Sequence, residues 1–424
     1  MTILPNRSAA WDCRDVLSEV APLPPTTILR DTPDSVSVLL VEDEPGDAHL
    51  IMHVLHEFTR PRFLVHHAES LAAAIAMVDG GAAIDVVLLD LSLPDSFGIG
   101  TYVRMQAAAP KLPIVIMTGT DDPAFAASAV EAGAQDYLVK SADPSATVGR
   151  VIRYAITRMN AQIERQALLE RLADQQRRFV HEISIARAMQ FHLLPRPERL
   201  EARLIRMGVE IEAFFEPSSG IGGDLWGCMD GGDNRLTFFT FDLSGHGIGA
   251  ALNVFRLHTL LGEHWTPDHS PAETLTLLGG ILHDLLDRGQ FATMFLGILD
   301  CQRQELEWAA AGAPPPLLIE GGRMCFLDTQ GVPLGLQKTP SYTNHRIAFP
   351  PGSSLFLYSD AITDAQIGCT GESFGEERLA AMAEAVVQNA GRMAVDHLLD
   401  RFYESLDGAV EDDLTALCIT QLAL

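Results

Sequence analysis

The chain has 424 residues, of which 30 are Lys or Arg and 56 Asp or Glu, giving a formal net charge of -26. That length exceeds one ordinary core, so two domains with connecting material are expected; a field of that sign repels phosphate backbones and anionic lipid, which excludes nucleic acid and membrane as partners. The six cysteines are scattered without a CxxC pair, no apolar stretch nears the roughly 20 residues that cross a bilayer, and the first residues lack a leader pattern, so a reduced, cytoplasmic protein is expected.

Residues 1–35 are rich in proline (Pro22, Pro24, Pro25, Pro33) and lack periodicity, which predicts a mobile arm, with a short helix around Trp11 to Val20 as an option. Over residues 36–144, short aliphatic runs alternate with alanine-rich segments such as Ser70 to Val78 and Pro123 to Ala132. That alternation predicts one α/β domain with a parallel sheet covered on both faces. Residues 145–197 read as a helical linker. Between 145 and 194 there is no proline, apolar residues recur in steps of three, four and seven from Ile152 to Ile183, and eight arginines outnumber four acids. Gln162, Gln166 and Gln176 interrupt a clean heptad seam, so a parallel coiled-coil homodimer and a helix lying on its own C-terminal domain both fit the pattern. Pro195 and Pro197 are expected to end this helix. Over residues 205–424, strand-like runs divided by glycine turns return, with helical stretches at Gly249 to Glu263 and Pro271 to Asp287. This predicts an α+β domain with two sheets and helices outside.

Three apolar runs of the first domain end in charge: Val38–Val41 in Glu42 and Asp43, Val86–Leu89 in Asp90, and Tyr137–Val139 in Lys140. A fourth run, Ile114–Met117, ends in Thr118. Parallel sheets bind ligands at such strand ends. A carboxylate that accepts a phosphoryl group needs a divalent cation, a hydroxyl and a positive side chain around the transferred oxygens. Glu42 and Asp43 supply metal ligands, Asp90 the acceptor, Thr118 the hydroxyl and Lys140 the cation. A lone aspartate at a strand end is an ordinary polar terminus; four strand ends with matching chemistry in order are not. On these residues, with Asp90–Pro94, Thr118-Gly119 and Asp136–Lys140, the segment Val38 to Lys140 resembles the receiver domain of bacterial response regulators. The resemblance implies a doubly wound five-stranded parallel sheet, Mg2+, and phosphotransfer to Asp90 from a histidine kinase or phosphotransfer protein. It also implies a main-chain metal contact from Ser92 and a switch aromatic at Tyr137.

The second domain carries Asp224, Asp242, Asp360 and Asp412 beside glycine turns or at the ends of apolar strands. Singly each reads as a turn former. Converging, they would need hard cations to neutralise them, and carboxylates without a His or Cys cluster favour Mg2+ or Mn2+ over zinc. Two such ions that activate a water make a phosphohydrolase. These four segments, with Arg187–Pro195, Ala292–Phe295, Ala311–Leu317 and Pro333–Gly335, resemble the SpoIIE-like branch of the metal-dependent protein Ser/Thr phosphatases, the PPM superfamily. The resemblance implies an α/β/β/α sandwich, Asp242 bridging two Mn2+ or Mg2+ ions beside the main-chain oxygen of Leu243, Asp360 and Asp412 on one ion, and Asp224 acting through bound water. His246 is given a loop-shaping role. Two positions depart from the family pattern: Gly227 stands where an aspartate is usual, and Ala361 where glycine is.

The expected whole is a response regulator whose output hydrolyses phosphoserine or phosphothreonine on a partner, by resemblance a STAS-type anti-sigma factor antagonist. The alternative is a phosphorylation-controlled binding protein without turnover. A metal-dependent nuclease conflicts with the negative charge and the lack of a basic stripe.

Overall fold

The computed structural model describes residues 2–3, 34–119, 134, 136–140, 144–218, 220–232, 234–245, 247–367, 372–406, 408 and 410–422. Most of the proline-rich arm, the stretch Pro123 to Ala132 and His246 lie outside the described residues. The chain divides into two units, Leu17–Arg177 and Met1–Val16 with Arg178–Leu424. It opens with a two-residue strand, β1 (Thr2–Ile3).

The first unit contains β2 (Ser35–Val41), α1 (Pro45–Glu57), β3 (Arg62–Ala68), α2 (Leu71–Asp79), β4 (Val86–Asp90), a small hairpin β5 (Ser92–Leu93) and β6 (Ser96–Phe97), α3 (Ile99–Ala108), β7 (Ile114–Thr118) and β8 (Asp136–Val139). Its five long strands form a parallel sheet in the order β3-β2-β4-β7-β8. Every residue of β4 and β7 is buried, as expected of Val- and Ile-rich strands covered on both faces. Alternate side chains feed two cores: Val38, Leu40, Leu88 and Val115 on one face, Leu39, Val41, Leu89 and Ile116 on the other. Pro45 starts α1 at a position where its missing N–H is harmless, and the Ser70 hydroxyl caps α2 by accepting from Ala73 N–H at 3.2 Å.

A single helix, α4 (Pro144–Phe191), runs 48 residues. Its opening turns place Val148, Ile152 and Ala155 in the first unit's core. Between Asn160 and Glu182 every residue except Asp174 is exposed, Leu168, Leu172 and Phe179 included.

The linker does not end as the prolines suggested. α4 stops at Phe191, ahead of both, and Pro197 opens a further helix, α5 (Pro197–Met207), closed by Gly208 with a left-handed backbone. Proline at the first helical turn initiates as readily as an interior one breaks, so the same residue served the opposite role.

The second unit continues with β9 (Val209–Glu216), β10 (Asp224–Asp230), β11 (Arg235–Leu243), α6 (Ile248–His264), α7 (Pro271–Leu285), β12 (Ala292–Asp300), β13 (Glu305–Ala311), β14 (Leu317–Glu320), β15 (Arg323–Phe326), β16 (His345–Ala348) and β17 (Ser354–Tyr358). α8 (Asp360–Asp364), the short hairpin β18 (Gln366–Ile367) and β19 (Glu372–Ser373), α9 (Gly375–Ala390), α10 (Val395–Ser405) and β20 (Leu414–Gln421) complete it. One sheet has the order β1-β9-β20-β17-β14-β15, the other β10-β11-β12-β13-β16. Thr2–Ile3 of the expected arm thus adds an edge strand, parallel to β9. One core joins both sheets to α6 and α7 through residues such as Ile211, Leu417, Phe239, Leu257 and Leu278. A second packs Phe356, Tyr358 and Cys418 against Leu379, Leu398 and Phe402 of α9 and α10. The layers are helix, sheet, sheet, helix, the α/β/β/α sandwich the resemblance implied.

Gly227 has a packing reason. It pairs with Phe239 across β10 and β11, and a Cβ at 227 would lie 2.3 Å from the Phe239 ring. Side chains alternate along a strand, so position 227 faces away from Asp224. Gly227→Asp is therefore expected to add no ligand and to lower stability by at least about 2 kcal/mol through overpacking and a buried charge. Urea unfolding measures this, and an unchanged midpoint would contradict it.

Candidate functional site

In the first unit the parallel order sets the ends of β2, β4, β7 and β8 side by side. Glu42, Asp43 and Asp90 each bring a carboxylate oxygen within 4.8 Å of the others, with Glu42 and Asp90 buried and Asp43 exposed. Lys140 Nζ lies 2.6 Å from Glu42, 2.9 Å from Asp90 and 3.1 Å from Asp47. Burial works to lower the Lys140 pKa, but its bonds to Glu42 and Asp90 prevail and hold it above the usual lysine range. Burial raises the Glu42 pKa, against the Lys140 bond that lowers it. Ser92 N–H donates to Asp90 Oδ1 at 3.3 Å, so the Leu91–Ser92 peptide is held against that carboxylate. Thr118 is buried at the end of β7, and Tyr137, partly buried on β8, packs against the core face that contains Leu39. Asp47 was not read from the sequence, because it ends no strand; its signal is position in the first turn of α1, which starts one residue beyond the Glu42-Asp43 pair, after Glu44.

In the second unit Asp224 opens β10 and pairs directly with Asp242 on β11. Asp360 follows β17, and Asp412 and Asp413 precede β20, the strand beside β17. Asp224, Asp242 and Asp360 line a cleft of about 250 Å³ together with Thr240, Thr293 and Thr415; no Lys or Arg is among its lining residues. Leu243, at the end of β11, donates its N–H to Gly223 O at 3.1 Å. Asp412 is exposed at the margin, close enough to Asp242 and Asp360 to repel both. Among the described residues, the first-unit trio is the group of three acids whose ligand atoms lie within 4.8 Å of one another.

Several residues that build this cleft were not singled out in the sequence. Asp413 is buried, and its carboxylate accepts from Ser218 N–H at 2.7 Å, Ser218 hydroxyl at 3.1 Å and Gly223 N–H at 2.5 Å. A Cβ on Gly222 would collide with that carboxylate at 2.2 Å, so the glycine is what permits the approach. Ser359 Oγ donates to Asp413 O and accepts from Thr415 N–H, each at 2.9 Å, and Thr415 Oγ1 donates to Asp224 Oδ2 at 2.6 Å. The buried Gln190 amide donates to Gly222 O at 2.9 Å and accepts from Gly222 N–H at 3.1 Å.

Burial, with Asp242 beside it, raises the Asp224 pKa well above the carboxylate range. Burial and then the charges of Asp360 and Asp412 push Asp242 up to about 8, and burial with Asp412 raises Asp360. Oxygen-only donors, desolvated and mutually repelling around a cleft lined by no cationic side chain, are a set that hard divalent cations relieve. The residues therefore fit such ions.

The proton on Asp242 has a measurable consequence. A carboxylate whose folded pKa exceeds its unfolded value takes up a proton on folding, so the stability it lends is lost as pH rises from the ordinary carboxylate range through about 8. In chelator, the melting temperature of the second unit is expected to fall between about pH 6 and about pH 8. Asp242→Asn should flatten that slope and stabilise the cation-free protein at the upper end. A wild-type slope of zero, or one unaltered by the substitution, would contradict the assignment.

Residues 38–152 match the model of the response regulator receiver domain, and residues 232–421 match that of stage II sporulation protein E, SpoIIE. Phosphoserine phosphatase RsbP of Bacillus subtilis is 26% identical over 193 residues, 44% of this chain and 46% of that protein. Protein IcfG of Synechocystis is 26% identical over 241 residues, 50% of this chain and 37% of IcfG. The chain thus spans less than half the length of these two relatives. The SiaA-PP2C domain of Pseudomonas aeruginosa matches in fold, with a TM-score of 0.51 at 20% identity, covering 58% of this chain and 99% of that domain. The chain joins a domain of the response regulator receiver family, residues 38–152, to a domain of the SpoIIE family of PPM-type phosphatases, residues 232–421.

Proposed function

We propose that the protein is a two-component response regulator whose output domain is a metal-dependent protein-serine/threonine phosphatase. The observation that carries this reading is the cleft in which Asp224, Asp242 and Asp360 meet without a basic residue in its lining. Asp224, Asp242, Asp360 and Asp412 are the proposed ligands, with Leu243 contributing a main-chain oxygen and Asp242 bridging. When bound, two Mn2+ or Mg2+ ions offset the charge of a phosphoryl group and acidify a water. The chain's own part is to keep the carboxylates desolvated and aimed: the Thr415 hydroxyl fixes one Asp224 oxygen, and the Asp413 clamp holds Gly223 beside Asp242.

Asp90 is the proposed phosphoacceptor, with Mg2+ on Glu42, Asp43, Asp90 and the main chain of Ser92. Lys140, now shared among three acids, is placed to take a phosphoryl oxygen, with Thr118 taking another. Tyr137 is the proposed reporter of that change. The partners proposed are a histidine kinase or phosphotransfer protein and a phosphorylated STAS-type anti-sigma factor antagonist; relatives named for a phosphoserine phosphatase support the chemistry. We further propose a homodimer through α4, because Leu168, Leu172 and Phe179, spaced by four and seven, are each more than half exposed.

The function is tested by Mn2+-dependent phosphate release from phosphorylated STAS proteins, with and without a phosphodonor. Asp242→Ala should lose at least about a hundredfold in turnover, and Asp90→Asn should lose the response to donor while keeping the basal rate. Wild-type protein that binds but never hydrolyses the substrate would favour the binding-protein reading instead, and equal rates with and without donor would refute the coupling. Light scattering tests the dimer: Leu172→Lys should shift the mass from two chains to one, and a wild type that is monomeric at all concentrations would exclude it.

A further inference from the structure

We propose that Gln190 is a positioning residue for the Asp224 carboxylate, and that the end of α4 is the seat on which the acidic loop is held. The inference rests on the metal-site reading above and deepens it. Gln190 is fully buried, one residue before α4 ends. Its side-chain amide forms a reciprocal pair with the Gly222 peptide, donating to Gly222 O at 2.9 Å and accepting from Gly222 N–H at 3.1 Å, and also reaches Asp224 O at 3.4 Å. A primary amide carries a donor and an acceptor on separate atoms of one plane, so it can pair with both the N–H and the C=O of a single residue, whereas an ionised carboxylate has no donor.

A second contact on the same helix points the same way. Ile183 lies seven residues earlier, and a Cβ on Gly220 would come within 2.7 Å of its Cγ2 atom. Residues seven apart lie on nearly one face of a helix, so one face of α4 meets the loop twice, at Gly220 by close packing and at Gly222 by hydrogen bonds. On its other side the loop is held by Asp413, which accepts from Gly223 N–H. Asp224 follows directly. The loop has two anchors, one in the strand pair of the sandwich and one in a helix whose first turns belong to the other unit's core. Outer contacts that orient ligands typically change metal affinity by about 10- to 100-fold when removed.

The test uses the full-length protein with Gln190→Met, which keeps length and removes every hydrogen bond, and Gln190→Glu, which keeps the acceptor for Gly222 N–H and removes the donors. Hydrogen exchange without added metal is read by mass spectrometry, and Mn2+ binding by calorimetry. Both variants should lose protection in the segment 218–225 and leave the sandwich strands unchanged. Mn2+ affinity should drop about tenfold or more, with turnover at saturating Mn2+ within about threefold of wild type. Unchanged exchange in that segment with Mn2+ affinity within twofold would overturn the proposal. So would protection lost evenly across the domain, or failure of both variants to fold, since either makes Gln190 a general packing residue. Because exchange and binding need no turnover, a wild type without phosphatase activity would sink the functional reading and leave this one open to the same measurements.

Discussion

The C-terminal cleft depends on the Asp413 carboxylate. It arrives on the segment before β20, turns inward, and takes the N–H groups of Ser218 and Gly223 from a loop almost two hundred residues earlier in the chain. Charge-assisted bonds of this kind are roughly twice as strong as neutral ones, and here they tie the two sheets at the point where Asp224 and Asp242 enter the cleft. Gly222 and Gly223 serve this contact, because a side chain on either would occupy the space of the Asp413 or Asp242 carboxylates. Asp412, its neighbour, is left facing outward beside the other acids. Two adjacent aspartates therefore divide into one that builds the site and one available to a ligand.

The two acidic sites of the chain solve the same electrostatic problem in opposite ways. In the receiver domain Lys140 lies among Glu42, Asp47 and Asp90, so the charge of the three is partly neutralised within the protein. In the SpoIIE-type domain no Lys or Arg among the described residues lines the cleft, and burial with mutual repulsion pushes Asp242 up to about 8. The first arrangement suits a site that receives a phosphoryl group and releases its lysine to it. The second suits a site in which cations are part of the resting structure, and a cation-free form is under electrostatic strain.

Much of this was legible because strand ends are legible. The runs ending at Glu42, Asp90, Thr118 and Lys140 are short and apolar, each with at least one β-branched residue, so both the parallel sheet and the edge where these residues gather are legible in the sequence. Asp242 and Asp360 were legible for the same reason, and Asp224 by its place after the Gly222-Gly223 turn. The supporting residues were not. Nothing in the pair Asp412-Asp413 says which carboxylate turns inward, since that depends on the partner loop. Gln190 stands in the sequence only as one position of the Arg187–Pro195 segment, with no role of its own; the position of Gly222 gives it one. Pro197 looked like a terminator and starts α5, because the role of a proline depends on whether a helix precedes or follows it. Long-range hydrogen bonds leave no local pattern, so the frame of a site is harder to read than its charged ends.

The central claim is that the acids of the SpoIIE-type domain form one site for two hard cations. Crystals of the protein grown with Mn2+ and recorded at a wavelength where manganese scatters anomalously test it directly. The account predicts two anomalous peaks roughly 3.5–4 Å apart, both within bonding distance of Asp242 and one of them also bonded to Asp360 and Asp412. A cleft without peaks at saturating Mn2+, or a single ion held away from Asp242, would contradict it.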